Sequence, residues 1–183
     1  MDGSATTSTN LPIHSLANAI APGIDGVYLG IYTLPNAGAG APFGSIIKVS
    51  PGKEPVTLLT NIADPTTIAV DDTYVFFSDT NGSFMSGGIG RMALDGSGLV
   101  TLTTPNVQHL AIDTHAIYFL RGNANGGVIM KMDKNGGTPT TIATGAAGIS
   151  GPMAIRGGNL YWGADSSGSS AGTSTGGVWT TCK

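Results

Sequence analysis

Three histidines, eleven acidic residues and one cysteine hold most of the reactive chemistry of this 183-residue chain. His14, His109 and His115 have no metal-ligand spacing with one another or with Cys182. Asp71 and Asp113 recur in matching turn segments, VDDT and IDTH, with Asp72, Asp25 and His115 close by. Carboxylates gathered this way suit an oxygen-rich cation site such as calcium. The simpler reading is that each Asp braces a tight turn through its own backbone bonds. DTNG at Asp79–Gly82 and DKNGG at Asp133–Gly137 resemble pieces of calcium loops. Both lack the twelfth-position acid, and Asn-Gly is itself a hairpin turn. No nucleophile elbow or phosphate loop occurs. His109 with Asp71 or Asp113 is the one pairing that suits a lyase or hydrolase. The residues therefore predict no metal, no cofactor and no catalytic set.

The elements that position these side chains follow from composition. Gly is 29 of 183 residues, only 10% are charged, and Glu54 is the single glutamate. Helical surfaces draw on Glu, Lys, Leu and Ala, so helix is disfavoured almost throughout. The apolar fraction of 40% is enough for a core, which argues against disorder. No apolar run reaches the roughly 18 residues of a membrane-spanning helix. Eight scattered basic residues and a net charge of −3 give no footing for nucleic acid. An all-β chain remains.

Self-comparison supplies the architecture. AIAPGIDGVYLGIY, TIAVDDTYVFFSDT, HLAIDTHAIYFLRG and MAIRGGNLYWGAD align without gaps on Ile20, Ile68, Leu110 and Met153. These anchors lie 48, 42 and 43 residues apart. Each is followed by alanine (Ala21, Ala69, Ala111, Ala154), a turn and an apolar triplet. Each unit then runs through a Gly-rich loop into a third strand: GSIIKV, GGIGRM, GGVIMKM and GGVWTTC. In the first three a turn and a Thr-rich fourth strand follow. Four short strands per unit of roughly 45 residues is the pattern of a β-propeller blade. The repeats occupy approximately 16–62, 63–106, 107–148 and 149–183 of one domain spanning 1–183.

The fourth unit ends at GGVWTTCK, while MDGSATTSTNLPI reads as a turn and a Thr-rich strand. From the third-strand basic position to the next anchor there are 20 residues (Lys48 to Ile68), 19 (Arg91 to Leu110) and 22 (Lys131 to Met153). Counting from Thr181 through the terminus to Ile20 also gives 22. The pattern is cyclic, with residues 1–15 completing the last blade and residues 5–11 laid beside 176–182. Such pairing removes an exposed strand edge. The small alanine on all four innermost strands suits a narrow axis and favours closing one chain into a four-bladed ring; two chains forming an eight-bladed ring, or an open assembly, are the alternatives. Cys182 cannot form an internal disulfide and reads as a small apolar residue of the final strand.

Tyr28, Phe76, Tyr118 and Tyr161 share one column, with Leu29, Phe77, Phe119 and Trp162 beside them. An identical place in every blade points to packing between blades rather than to a ligand cage. The loops between second and third strands vary most, and loops on a rigid scaffold are where binding resides. Tyr32, Phe43, Phe84 and Met85 are the contact candidates on that face, with His109 and His115 as further ligand-binding candidates.

PTTIAVDDTYVFFSDTNG followed by RMALDGSG resembles the YWTD-type propeller repeats of the lipoprotein-receptor family, and more closely secreted bacterial YWTD-like propellers. The tetrapeptide position reads VFFSD, IYFLR and LYWGAD, with Asp79 at the motif's acidic place, Arg121 replacing it in the third unit and Asp165 displaced by one. The resemblance implies a propeller with a binding or scaffold role and carries over no catalytic residue. Such families close with six blades or more, so four repeats depart from them. MDGSATTSTN is no signal peptide, yet abundant Thr, Ser, Asn and Gly suit an exported protein. The expectation is a non-enzymatic extracellular or cell-surface binding domain from a bacterial source, taking a protein or glycan ligand on its loop-rich face. A self-assembling subunit joined through edge strands is the alternative, and a channel-centred lyase or hydrolase the second.

Overall fold

The computed structural model describes residues 15–33, 43–79, 87–103, 107–123, 126–146, 149–164 and 177–182. Fifteen strands and no helix lie among them. Among the described residues no helix is therefore long and apolar enough to cross a membrane.

Four antiparallel β-propeller blades make up the chain. Its first blade is β1 (Ser15–Gly23), β2 (Gly26–Thr33), β3 (Phe43–Val49) and β4 (Val56–Ile62). The second is β5 (Thr67–Val70), β6 (Tyr74–Ser78), β7 (Ile89–Ala93) and β8 (Val100–Thr103). The third is β9 (Val107–Ile112), β10 (Ala116–Asn123), β11 (Gly126–Asp133) and β12 (Thr140–Ala146). The fourth contains β13 (Ile149–Arg156), β14 (Asn159–Ala164) and β15 (Gly177–Cys182). Each blade is an antiparallel meander in which sequence neighbours pair. Of residues 1–15, expected to complete the fourth blade, Ser15 instead begins β1 of the first, and residues 1–14 lie outside the described residues.

The register repeats as faithfully as the sequence. Ile20 faces Leu29, Ile68 faces Phe77, Leu110 faces Phe119 and Met153 faces Trp162. Because side chains alternate across a strand, the two neighbouring apolar positions of each second strand point to opposite faces of the blade. We call the face bearing Tyr28, Phe76, Tyr118 and Tyr161 the forward face, and the one bearing Leu29, Phe77, Phe119 and Trp162 the rear face.

Forward faces pack on rear faces. Tyr28 and Ile46 of the first blade meet Val75, Phe77 and Met92 of the second. Phe76 and Ile89 of the second meet Ile117 and Phe119 of the third. Tyr118 and Leu120 of the third meet Leu160 and Trp162 of the fourth. At these three boundaries the aromatic columns lie between blades, as their repetition predicts; Leu29 and Tyr161 belong to none of the three clusters. Inner strands follow in the same succession, β1 on β5, β5 on β9 and β9 on β13. Gly90 shows how close the fit is, since a Cβ there would run into the ring of Phe77 on the neighbouring strand.

Phe77 fills this contact with a fully buried ring. Phe77→Ala is expected to lower unfolding free energy by about 3–5 kcal/mol in denaturant titration. Val100→Ala, on an exposed outer strand, is expected to change it by no more than about 0.5 kcal/mol.

Candidate functional site

The turns joining first to second and third to fourth strands share one end of the propeller. Two of the first kind are chemically alike. The Asp71 amide donates to the Tyr74 carbonyl at 3.1 Å, and Asp71 Oδ1 accepts from the amides of Thr73 (2.9 Å) and Tyr74 (2.7 Å). The Asp113 amide donates to the Ala116 carbonyl at 3.0 Å, and Asp113 Oδ1 accepts from the amides of His115 and Ala116, each at 2.8 Å. A carboxylate that stands in for a missing backbone acceptor is how aspartate holds a tight turn. The fourth blade makes the corresponding turn differently, with Gly157 and Gly158 both at positive φ (57° and 83°) between paired Arg156 and Asn159.

Between the second and third blades these turns line a cleft of about 750 Å³ with Asp71, Tyr74, Asp113, His115, Lys134 and Asn135 on its walls. Lys134 reaches across the blade boundary to Asp71 at 2.6 Å, and its ammonium also lies 5.7 Å from the Phe76 ring centre. Arg91 completes the join. Its guanidinium stacks 4.4 Å from the Tyr74 ring and donates to the Lys134 carbonyl (3.0 Å) and to Asn135 Oδ1 (2.9 Å). The Tyr118 hydroxyl donates to Asp113 Oδ2 at 3.1 Å. The His115 ring nitrogen Nδ1 lies 2.8 Å from the Thr114 hydroxyl.

Burial works to raise the Asp71 pKa, but the Lys134 ammonium and the Thr73 and Tyr74 amides outweigh it and hold the carboxyl below its ordinary 3.8. In the first blade Asp25 pairs with Lys48 and accepts from the Tyr28 hydroxyl at 2.8 Å; those bonds also lower its pKa. That pair is more exposed and contributes less. Third-strand cations stack on rings in two more places, Lys48 on Tyr28 and Lys131 on Tyr118.

The sequence candidates divide. His115, Asp71, Asp72 and Asp113 meet in the cleft. His109 does not line it; it sits on β9 opposite Leu120. Tyr32 and Phe43 stand at the foot of the first blade's long loop, where Thr33 pairs with Phe43 and Tyr32 with Gly44. Phe84 and Met85 lie outside the described residues, as do Asp165 and the Thr80–Gly82 part of DTNG. Asp133 serves a turn, accepting from the Asn135 amide at 2.8 Å. Among the described residues no three His, Cys, Asp or Glu side chains come close enough to hold a metal ion. The sequence reading missed Lys134 and Arg91, although Arg91 stood at the repeated third-strand basic position.

Asp79 is fully buried at the loop end of β6. Its Oδ1 accepts from the amides of Ala63 (3.0 Å) and Asp64 (3.2 Å), fixing the segment that links first and second blades.

Comparison with protein-family models and with curated proteins finds no match. Among solved structures, the fold is similar to the phage phi92 endosialidase, with a TM-score of 0.56, 13% identity and 82% of this chain covered. The chain spans 30% of that structure's length, and a likeness at this identity shows the propeller fold alone.

A carboxyl held below its ordinary pKa stabilises the fold fully at pH values above the ordinary one, and this is lost as pH falls through the folded value. Acid titration of stability is therefore expected to show a loss below about pH 4 that Asp71→Asn reduces, the Asp25 share remaining. At neutral pH Asp71→Asn is expected to lower unfolding free energy by about 1–3 kcal/mol. An unchanged acid limb in the variant would contradict the assignment.

Proposed function

We propose that this chain is a non-enzymatic binding or scaffold domain of the extracellular space or cell surface, engaging a protein or glycan through its loop-rich face. The observation that carries this reading is the way the loops are mounted. Each second strand stays paired with its third strand up to the loop, at Thr33 with Phe43, Ser78 with Ile89, Asn123 with Gly126 and Ala164 with Gly177. In the second blade the stem extends further, with the Asp79 amide donating to the Gly88 carbonyl (3.2 Å), and the Val107 amide of the third blade ties it to its neighbour by donating to the Gly87 carbonyl (2.8 Å). Loops set on fixed stems favour recognition, because less ordering entropy is lost on binding.

The opposite face supports the same reading from its chemistry. Asp71 is consumed by Lys134 and two amides, and Asp113 by two amides and the Tyr118 hydroxyl. A general acid or base needs a proton-accepting atom within reach of substrate. Here those atoms hold turns and blades together. The repeat's resemblance to YWTD-type propellers and the Thr-, Ser- and Gly-rich composition agree with an exported binding role.

Screening the labelled protein on glycan arrays and displayed extracellular proteins is expected to yield a ligand whose affinity drops about tenfold or more on Tyr32→Ala or Phe43→Ala, the scale of an aromatic contact. His115→Ala is expected to leave that affinity unchanged. Loss of binding only on His115→Ala would overturn the loop-face assignment. Ligand turnover abolished by His109→Ala or His115→Ala would replace it with the enzymatic one.

A further inference from the structure

Three blade boundaries use a forward face against a rear face, yet the described residues leave one face of each kind without a partner. On the rear face of the first blade Ile20 is 71% exposed, whereas its counterparts Ile68 and Leu110 are 7% and 5% exposed. Pro22 is exposed where Val70, Ile112 and Ile155 are half-buried. Ile24, in the adjoining turn, is 79% exposed. On the forward face of the fourth blade the reverse side of the same mismatch appears. Ala154 is exposed where Ala21 and Ala111 are buried, and Tyr161 is half-buried where Tyr28, Phe76 and Tyr118 are buried. Among the described residues β13 makes no contact with β1 comparable to those joining the other inner strands.

The two faces are complementary by the rule the chain already follows. A rear face carrying Ile20 and Leu29 is what each forward face accepts at the other boundaries, and a forward face carrying Ala154 and Tyr161 is what each rear face accepts. The rims agree. At the boundary of second and third blades, Asp71 pairs with Lys134 in the third-to-fourth-strand turn of the following blade. The fourth blade carries Arg156 in the place of Asp71, and the corresponding turn of the first blade carries Glu54 beside Lys53. Arg156 and Glu54 are both exposed, so the ion pair of the other boundary is available with its signs reversed. A concavity of about 960 Å³ lies between the first blade's two turns, lined by Pro22, Ile24, Lys53 and Glu54 among others.

From this we propose that the occupant of both faces is a second copy of the chain: the fourth blade of each copy stacks its forward face on the first blade of the other, with Arg156 set against Glu54. Each copy brings one face of each kind, so a two-fold axis satisfies all four at once and gives a ring of eight blades with no apolar face left over. Exposed apolar faces of this sort are interaction surfaces.

Light scattering after size exclusion is expected to give twice the 18.4 kDa of one chain. Ile20→Asp is expected to weaken self-association about a hundredfold, with an unchanged near-ultraviolet spectrum because the side chain is already in solvent. Glu54→Arg and Arg156→Glu are each expected to weaken it about tenfold, and the double exchange to restore it. A single-chain mass over a hundredfold range of concentration, or a mass above two chains, would overturn the proposal. So would a dimer indifferent to Ile20→Asp, or a double exchange that fails to restore what the single changes lose.

Discussion

The structure depends on one contact made again and again, the forward face of a blade against the rear face of the next. A meander of four short strands that is apolar on both faces cannot bury those faces by itself. Each blade therefore needs apolar cover on both sides. That requirement explains why second strands read VYL, VFF, IYF and LYW instead of alternating apolar and polar residues. Phe76 and Phe77 are neighbours in sequence, yet they stabilise different boundaries, with the third and first blades respectively. Large rings are needed because twisted sheets stacked face to face stand about 10 Å apart.

Apolar packing alone fixes the distance between blades but leaves them free to slide, and the polar contacts sit where sliding would be felt. The Tyr28 hydroxyl reaches the Leu94 carbonyl of the second blade at 3.4 Å while holding Asp25 of its own. Lys134 and Arg91 tie second to third blade at the turn end. Thr66 contacts Ser78 at 2.9 Å and donates to the Gln108 carbonyl at 3.3 Å near the loop end. These bonds sit at the rims, where solvent lowers the penalty of desolvating charge, while the middle of each boundary stays apolar. The charged groups of the turn end thus hold the second and third blades in register.

Much of this was legible in the residues. The anchors and triplets gave the blades, and the invariance of the aromatic column gave its place between them. Asp71 and Asp113 were readable as turn-bracing acids because an Asp two residues before an amide finds it in a tight turn. Lys134 was not, since DKNGG looks complete as a turn and nothing local says that its lysine crosses to another blade. Arg91 was visible only as a counting landmark, because a cation above a ring on the adjacent strand has no signature in linear spacing. His109 and His115 were both ligand-binding candidates in sequence, but only His115, in the turn between β9 and β10, lines the cleft, while His109 lies on β9 opposite Leu120. Unequal exposure of Ile20 and Ile68 was illegible for a deeper reason. The two residues occupy the same place in their own blades, and the difference lies entirely in what is stacked outside.

Interchangeable faces raise the question of how a repeat protein avoids docking blades in the wrong order. The apolar middles of the boundaries are too alike to discriminate, so selection falls to the rims. In the two-copy arrangement proposed above, Arg156 would meet Glu54 at the intended boundary. At the third blade's turn the same arginine would meet Lys134, and repulsion there disfavours the shifted arrangement. The glycine turn at 157–158 fits this logic. Once arginine replaces aspartate at the head of the turn, no carboxylate remains to brace it, and two residues at positive φ take over the bend. Reversed charge and altered turn chemistry thus go together, with Arg156 in the place of Asp71 and Gly157 and Gly158 in those of Asp72 and Thr73, at the blade whose forward neighbour in the proposed arrangement is another copy's first blade.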